Sequence, residues 1–139
     1  MSIREIKENE VSVIFDLLKE LRTTLSKEEF TDIYFEAKKA DRYTFYGYYI
    51  DQNCVGLMGL RYLYDYVHKH HLYIDDLVVN KDYRSQGIGM ILLEFAEDLA
   101  RANACTGLRL CTGIDNKEGI RFYERENWAA RAIAFKKKI

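Results

Sequence analysis

The clearest chemistry in this chain lies in Arg84-Ser85-Gln86-Gly87-Ile88-Gly89. These residues stand between the apolar run Leu77-Val78-Val79 and a segment of helical periodicity from Met90 to Arg101. A glycine-rich turn at a helix start presents backbone N–H groups at the positive end of the helix dipole, a geometry suited to phosphate or pyrophosphate. Arg84 adds a permanent positive charge beside it. Upstream, Asp75 and Asp76 are adjacent carboxylates in an apolar strand, where an unpaired charge is costly to bury. Strict strand alternation sends them to opposite faces, Asp75 with Tyr73 and Leu77, and Asp76 the other way. A bulge would change that division.

A glycine pair alone also fits a tight loop with no ligand. Two nucleotide readings fail on spacing. The Walker pattern needs Lys and then Ser or Thr after its last glycine, and here Met90 and Ile91 follow Gly89. The Rossmann fingerprint begins at a strand end and needs an acidic residue at the tip of the next strand. Here the charged loop Asn80-Lys81-Asp82-Tyr83 intervenes, and the next strand ends in Cys111-Thr112. His68, His70 and His71 form a second cluster, and His70 could serve as a base. No carboxylate or cysteine pattern completes a metal site around them, so the segment reads as an exposed hairpin turn with no metal.

The elements that must position these groups follow from periodicity. Ile3–Ile6 is a short strand. Val11, Ile14, Phe15, Leu18 and Leu21 recur at helical spacing, as do Phe30, Ile33, Tyr34 and Ala37. Ser26 and Glu29 fit a capping box for that second helix. Tyr43–Ile50 and Cys54–Tyr62 read as a hairpin turning at Asp51-Gln52-Asn53, and Leu72–Val79 as the next strand. The helix after the glycine turn is expected to bury Ile88, Ile91, Leu92, Phe95 and Leu99. Gly107–Thr112 is a further strand, Asn116–Arg125 a helix, and Ala129–Phe135 a strand closing the sheet. This order implies one central sheet with helices packed on it.

The bulk properties bound the function. The chain has 139 residues, 48% of them hydrophobic and 31% charged, which is enough to build one domain with a real core. A net charge of −1 gives no field that would favour nucleic acid or an anionic membrane. Lys136-Lys137-Lys138 reads as a solvated strand end with no aromatic platform. Cys54, Cys105 and Cys111 are an odd number without metal spacing, as expected of reduced thiols in a cytoplasmic protein. No signal segment or membrane span is visible in the sequence.

Arg84-x-x-Gly87-x-Gly89 resembles the Arg/Gln-x-x-Gly-x-Gly/Ala signature of the GNAT superfamily of acyl-CoA-dependent N-acyltransferases. The resemblance extends to Tyr73–Val79 and Asp82-Tyr83-Arg84. It continues through Asn116, Arg121-Phe122-Tyr123 and Trp128, with Asn127-Trp128 where Gly-Phe is usual. It implies an α/β GNAT fold over residues 1–139: a mixed, mostly antiparallel sheet of six to seven strands, splayed in the middle, with about four helices. It implies acetyl-CoA as co-substrate, with its pyrophosphate on the turn formed by Arg84, Ser85, Gln86, Gly87, Ile88 and Gly89. The pantetheine would lie along Leu77, Val78 and Val79, and Asn116 would hydrogen-bond the cofactor arm, a role compatible with its capping the Lys117–Arg125 helix. Tyr123 matches the residue that protonates the leaving thiolate. Asp75 matches the acidic position associated with amine deprotonation in polyamine-type relatives. The acceptor is then a small amine or a protein amino group, and the C-terminal strands imply a homodimer. A non-catalytic acyl-CoA-binding module is the alternative.

Overall fold

Ser26 and Glu29 open a helix as their spacing predicts: Glu29 N–H donates to Ser26 Oγ at 3.1 Å and Ser26 N–H to Glu29 Oε1 at 3.0 Å. The computed structural model describes residues 2–139. The elements run β1 (Ser2–Glu5), α1 (Phe15–Leu21), α2 (Lys27–Asp41), β2 (Thr44–Ile50), β3 (Asn53–Asp65), β4 (Lys69–Val79), α3 (Ile88–Ala102), β5 (Leu108–Leu110) and α4 (Lys117–Arg125). Short 3-10 segments cover Glu8–Ile14 and Lys81–Tyr83. The strands form a mixed sheet in the order β1-β2-β3-β4-β5, with β1 to β4 antiparallel in sequence. The chain divides into two compact units, one running up to Arg109 and the other spanning Leu110–Ile139.

In the first unit, α1, α2 and the sheet share an aromatic core. Phe15, Phe30, Tyr34, Tyr43 and Phe45 are all buried, and the Tyr34 and Phe45 rings stack 5.7 Å apart. Helix α3 buries Ile88, Leu92, Leu93, Ala96 and Ala100. The expected face is thus rotated: Ile91, Phe95 and Leu99 are only partly buried. Two alanines allow close approach, and Gly56 on β3 leaves room for Ile88 and Leu92.

Three expectations need correction. The sheet has five strands among the described residues, not six to seven, because Ala129–Phe135 forms no strand. A strand persists only where a ladder satisfies its backbone, and this segment pairs with none, leaving Ile133 71% and Phe135 91% exposed. The β3–β4 hairpin is longer than its hydrophobic runs, so His70 and His71 lie in β4 and not in a turn. His71 is buried. Asp75 and Asp76 do not alternate across the sheet, as the register below shows.

Candidate active site

The glycine turn forms as expected. Ser85 and Gly87 adopt left-handed backbone, with φ of 63° and 83°. Gly87 is the N-cap of α3, and no side chain among the described residues caps that helix. The N–H groups of its first turn have no intrahelical partners, so they remain available to an anion. A Cβ built on Gly87 would meet nothing within 4 Å, so the space beside the backbone is open. Arg84 is half exposed and also anchors the turn: its Nε donates to the Val79 carbonyl at 3.0 Å, and Nη2 lies 3.5 Å from Glu20. The Lys81 N–H donates to the same Glu20 carboxylate at 3.1 Å, tying the loop to α1.

Leu77, Val78 and Val79 close β4, paired with Met58, Leu57 and Gly56 of β3. On the other edge, the bonds beside β5 fall at His70 and Leu72: Thr106 N–H donates to the His70 carbonyl and Leu72 N–H to that of Gly107. Three residues of strand extend roughly 10 Å, whereas Leu72 to Leu77 spans roughly 16 Å. The end of β4 therefore outruns its short neighbour. Val78 is buried, and Leu77 and Val79 are partly so.

Register places the carboxylates. Gly59 pairs with Asp76 and Leu60 with Ile74, which leaves Asp75 as the extra residue of a β-bulge. The bulge brings both side chains to the face shared by Gly59 and Arg61. Arg61 grips Asp75 at two points, Nε to Oδ2 at 2.9 Å and Nη2 to Oδ1 at 3.1 Å, and Nη1 donates to Asp41 at 2.9 Å. Asp76 accepts from the Tyr43 hydroxyl at 2.5 Å and from Arg22 Nε at 2.9 Å. Arg22 Nη2 also donates to the Asp75 carbonyl at 2.8 Å, satisfying backbone that the bulge leaves off the ladder. Burial raises the Asp75 pKa; the Arg61 guanidinium opposes that shift and the neighbouring Asp76 charge adds to it. Burial and the Asp76 charge hold the Tyr43 hydroxyl well above the ordinary tyrosine range.

Arg22 and Arg61 carry no local sequence signal. Gly59 was the available signal, since an isolated strand glycine marks a bulge or a close approach. A Cβ there would lie 1.8 Å from the Tyr43 hydroxyl oxygen.

The second unit carries the remaining candidates. Asn116 is the N-cap of α4: its Oδ1 accepts from Gly119 N–H at 3.1 Å and its Nδ2 donates to Thr112 Oγ1 at 2.9 Å. Both ends of the amide are thus engaged within the helix cap, as the capping reading expects. Tyr123 packs edge-on against Phe122 at 5.2 Å and Trp128 at 6.0 Å. Burial raises its pKa. Asn127 has φ of 68°, a left-handed helix end that asparagine tolerates better than other side chains. This accounts for asparagine where glycine is usual.

Residues 11–127 match the Acetyltransferase (GNAT) family. The chain is 33% identical over 86 residues to streptothricin acetyltransferase A of Bacillus subtilis, covering 62% of this chain and 47% of that protein, so it spans about half of that relative's length. It is 28% identical to the uncharacterized N-acetyltransferase YhdJ of Bacillus subtilis, over 90% of this chain and 89% of that one. Thialysine N-epsilon-acetyltransferase of Bos taurus is 29% identical, with 88% and 80% covered. Among solved structures, the aminoglycoside N-acetyltransferase AAC(6')-Iy in complex with CoA superposes with a TM-score of 0.86 at 16% identity, over 99% of this chain and 95% of that one. The match over most of the chain, on a fold with a glycine turn between β4 and α3, makes the protein a member of the acetyltransferase (GNAT) family, and it carries that family's acetyltransferase domain.

Proposed function

We propose that the protein transfers an acetyl group from acetyl-CoA to a primary amine by direct attack within a ternary complex. The observation that carries this reading is the open turn at Gly87, left-handed and unobstructed at the start of α3, directly after the outrunning end of β4. The turn Arg84, Ser85, Gln86, Gly87, Ile88 and Gly89 receives the pyrophosphate on backbone N–H groups. Leu77 and Val79 pair with the pantetheine amides as an added half-strand. Alternation along β4 turns the Val78 N–H toward Leu57 of β3 and the Leu77 and Val79 N–H groups to the opposite edge, where one of them polarises the thioester carbonyl.

The acceptor ammonium must lose a proton before it attacks. Asp75 takes that proton, directly or through water, and its burial supplies basicity that an exposed aspartate lacks. The amine nitrogen bonds to the carbonyl carbon, the C–S bond breaks, and Tyr123 gives the departing thiolate its proton. Asn116 serves the cofactor side as the fixed N-cap of α4, and no metal takes part. The acceptor is a small or polyamine-like amine or a protein amino group. Relatives named for streptothricin, thialysine and aminoalkylphosphonate acetylation support the small-amine reading. The protein works in the cytoplasm with reduced thiols, and as a homodimer; the exposed Ile133 and Phe135 offer apolar surface for pairing.

A thermal-shift screen of CoA, ATP and NAD, followed by a thiol-release assay over an amine panel, tests the reading. Stabilisation by CoA alone, with thiol released by at least one amine, is the expected outcome. Stabilisation without transfer to any amine would leave an acyl-CoA-binding module.

A further inference from the structure

We propose that the β3–β4 hairpin is a binding site for a first-row transition-metal dication of the zinc class, with Asp65, His68 and His71 as ligands and Arg109 as a built-in competitor. The sequence hides the site, because the carboxylate that completes it ends β3, while the histidines flank the start of β4. One ligand atom from each of the three residues lies within 4.8 Å of the other two. His68 Nδ1 is 3.1 Å from Asp65 Oδ2, and His71 Nε2 is 3.9 Å from the same oxygen. Ligand atoms of a tetrahedral zinc stand about 3.3 Å apart, given metal–ligand bonds of about 2.0–2.1 Å. The three groups therefore need only small movements.

The scaffold fixes each ligand. Asp65 accepts the Val67 and His68 N–H groups on Oδ1, which orients its carboxylate and leaves Oδ2 facing the histidines. His71 is 1% exposed. Its Nδ1 lies 3.0 Å from the Lys69 carbonyl, an acceptor only, so Nδ1 carries the proton and Nε2 carries a lone pair. A carbonyl behind one ring nitrogen, with the other presented toward a carboxylate, is the outer-shell arrangement of a metal-binding histidine. That lone pair now accepts from Arg109 Nε at 3.0 Å, while Arg109 Nη2 lies 3.8 Å from Asp65 Oδ2. A guanidinium thus occupies the position that a cation would take. On metal binding, His68 presents its Nδ1 lone pair as the Nε2–H tautomer, Arg109 withdraws, and water fills the fourth position.

The experiment uses the full chain, treated with chelator and desalted, and titrates it with zinc chloride by calorimetry and with cobalt(II) by visible absorption. One saturable ion per chain is expected, with the d–d bands of four-coordinate cobalt. Asp65→Asn and His68→Ala, both at exposed positions, should lose that site while keeping the wild-type circular dichroism spectrum. Arg109→Met should bind at least about tenfold more tightly, because a unit positive charge leaves the ligand set. Absence of saturable binding by the wild type would overturn the proposal. So would undiminished binding by Asp65→Asn and His68→Ala, or unchanged or weaker binding by Arg109→Met.

Discussion

The Tyr43 hydroxyl lies 2.5 Å from Asp76 Oδ2, and the ring reaches it across the Cα of Gly59, the residue paired with Asp76 on β3. A missing side chain on one strand therefore admits an aromatic from outside the sheet, which holds a carboxylate of the next strand. Gly59→Ala places a Cβ 1.8 Å from that hydroxyl oxygen, so the buried ring must move. Overpacking of this kind costs about 1–3 kcal/mol in urea unfolding. Tyr43→Phe removes only the hydrogen bond and leaves Arg22 on Asp76; loss of a bond to a charged acceptor costs about 1.5–3 kcal/mol. If Gly59→Ala unfolds at the wild-type midpoint, the close approach has no energetic weight.

Asp75 and Arg61 set the pH response. Burial lifts the Asp75 pKa above its unfolded value, while Arg61 pulls it down. A carboxyl with a raised folded pKa favours the native state at pH below its unfolded value, and that contribution disappears as pH rises through the folded value. Asp75→Asn should flatten this acid-side part of the stability curve, followed by urea unfolding from pH 3 to 7. Arg61→Met removes the guanidinium that stabilises the carboxylate, so the acid limb of the kcat/KM profile should move to higher pH. A limb that stays in place would separate Asp75 from the step that limits kcat/KM.

The glycine turn was legible in the sequence, because its signals are local. Such a turn needs left-handed backbone and a following helix, and Gly87 and Ile88 announce both. The cap on α2 is written in Ser26 and Glu29, and the N-cap role of Asn116 could be stated from its place before α4. The bulge was not legible, because it depends on which β3 residue faces which β4 residue, and adjacent aspartates look the same in either register. The pairing of Arg61 with Asp75 depends on that register. The pairing of Arg22 with Asp76 spans 54 positions, beyond any local pattern. The strand expected at Ala129–Phe135 is an apolar run broken only by Arg131, but an apolar run does not supply a ladder partner.

Gly87→Ala tests the turn. The backbone there has φ of 83°, which costs a residue with a Cβ about 1–2 kcal/mol. The new methyl group also enters the open space beside the backbone, where the proposed pyrophosphate would sit. CoA affinity by calorimetry should fall by at least about tenfold, from strain and lost contact together. An affinity equal to wild type would move the cofactor away from this turn.

Tyr123 is the sharpest test of catalysis. Burial raises its pKa, so the phenol stays protonated through the neutral range in which thioesters are assayed. A protonated phenol of that basicity can give its proton to a thiolate as the C–S bond breaks, while a phenylalanine cannot. Tyr123→Phe keeps the ring that packs against Phe122 and Trp128, so the unfolding midpoint should hold. Loss of a general acid should lower kcat by about 100-fold, with KM for acetyl-CoA unchanged. The pair of readouts distinguishes the roles: a structural ring would lower stability and leave kcat alone, whereas the acid lowers kcat and leaves stability alone. If kcat for Tyr123→Phe equals that of the wild type, water or another donor protonates the thiolate, and Tyr123 is packing for the second unit.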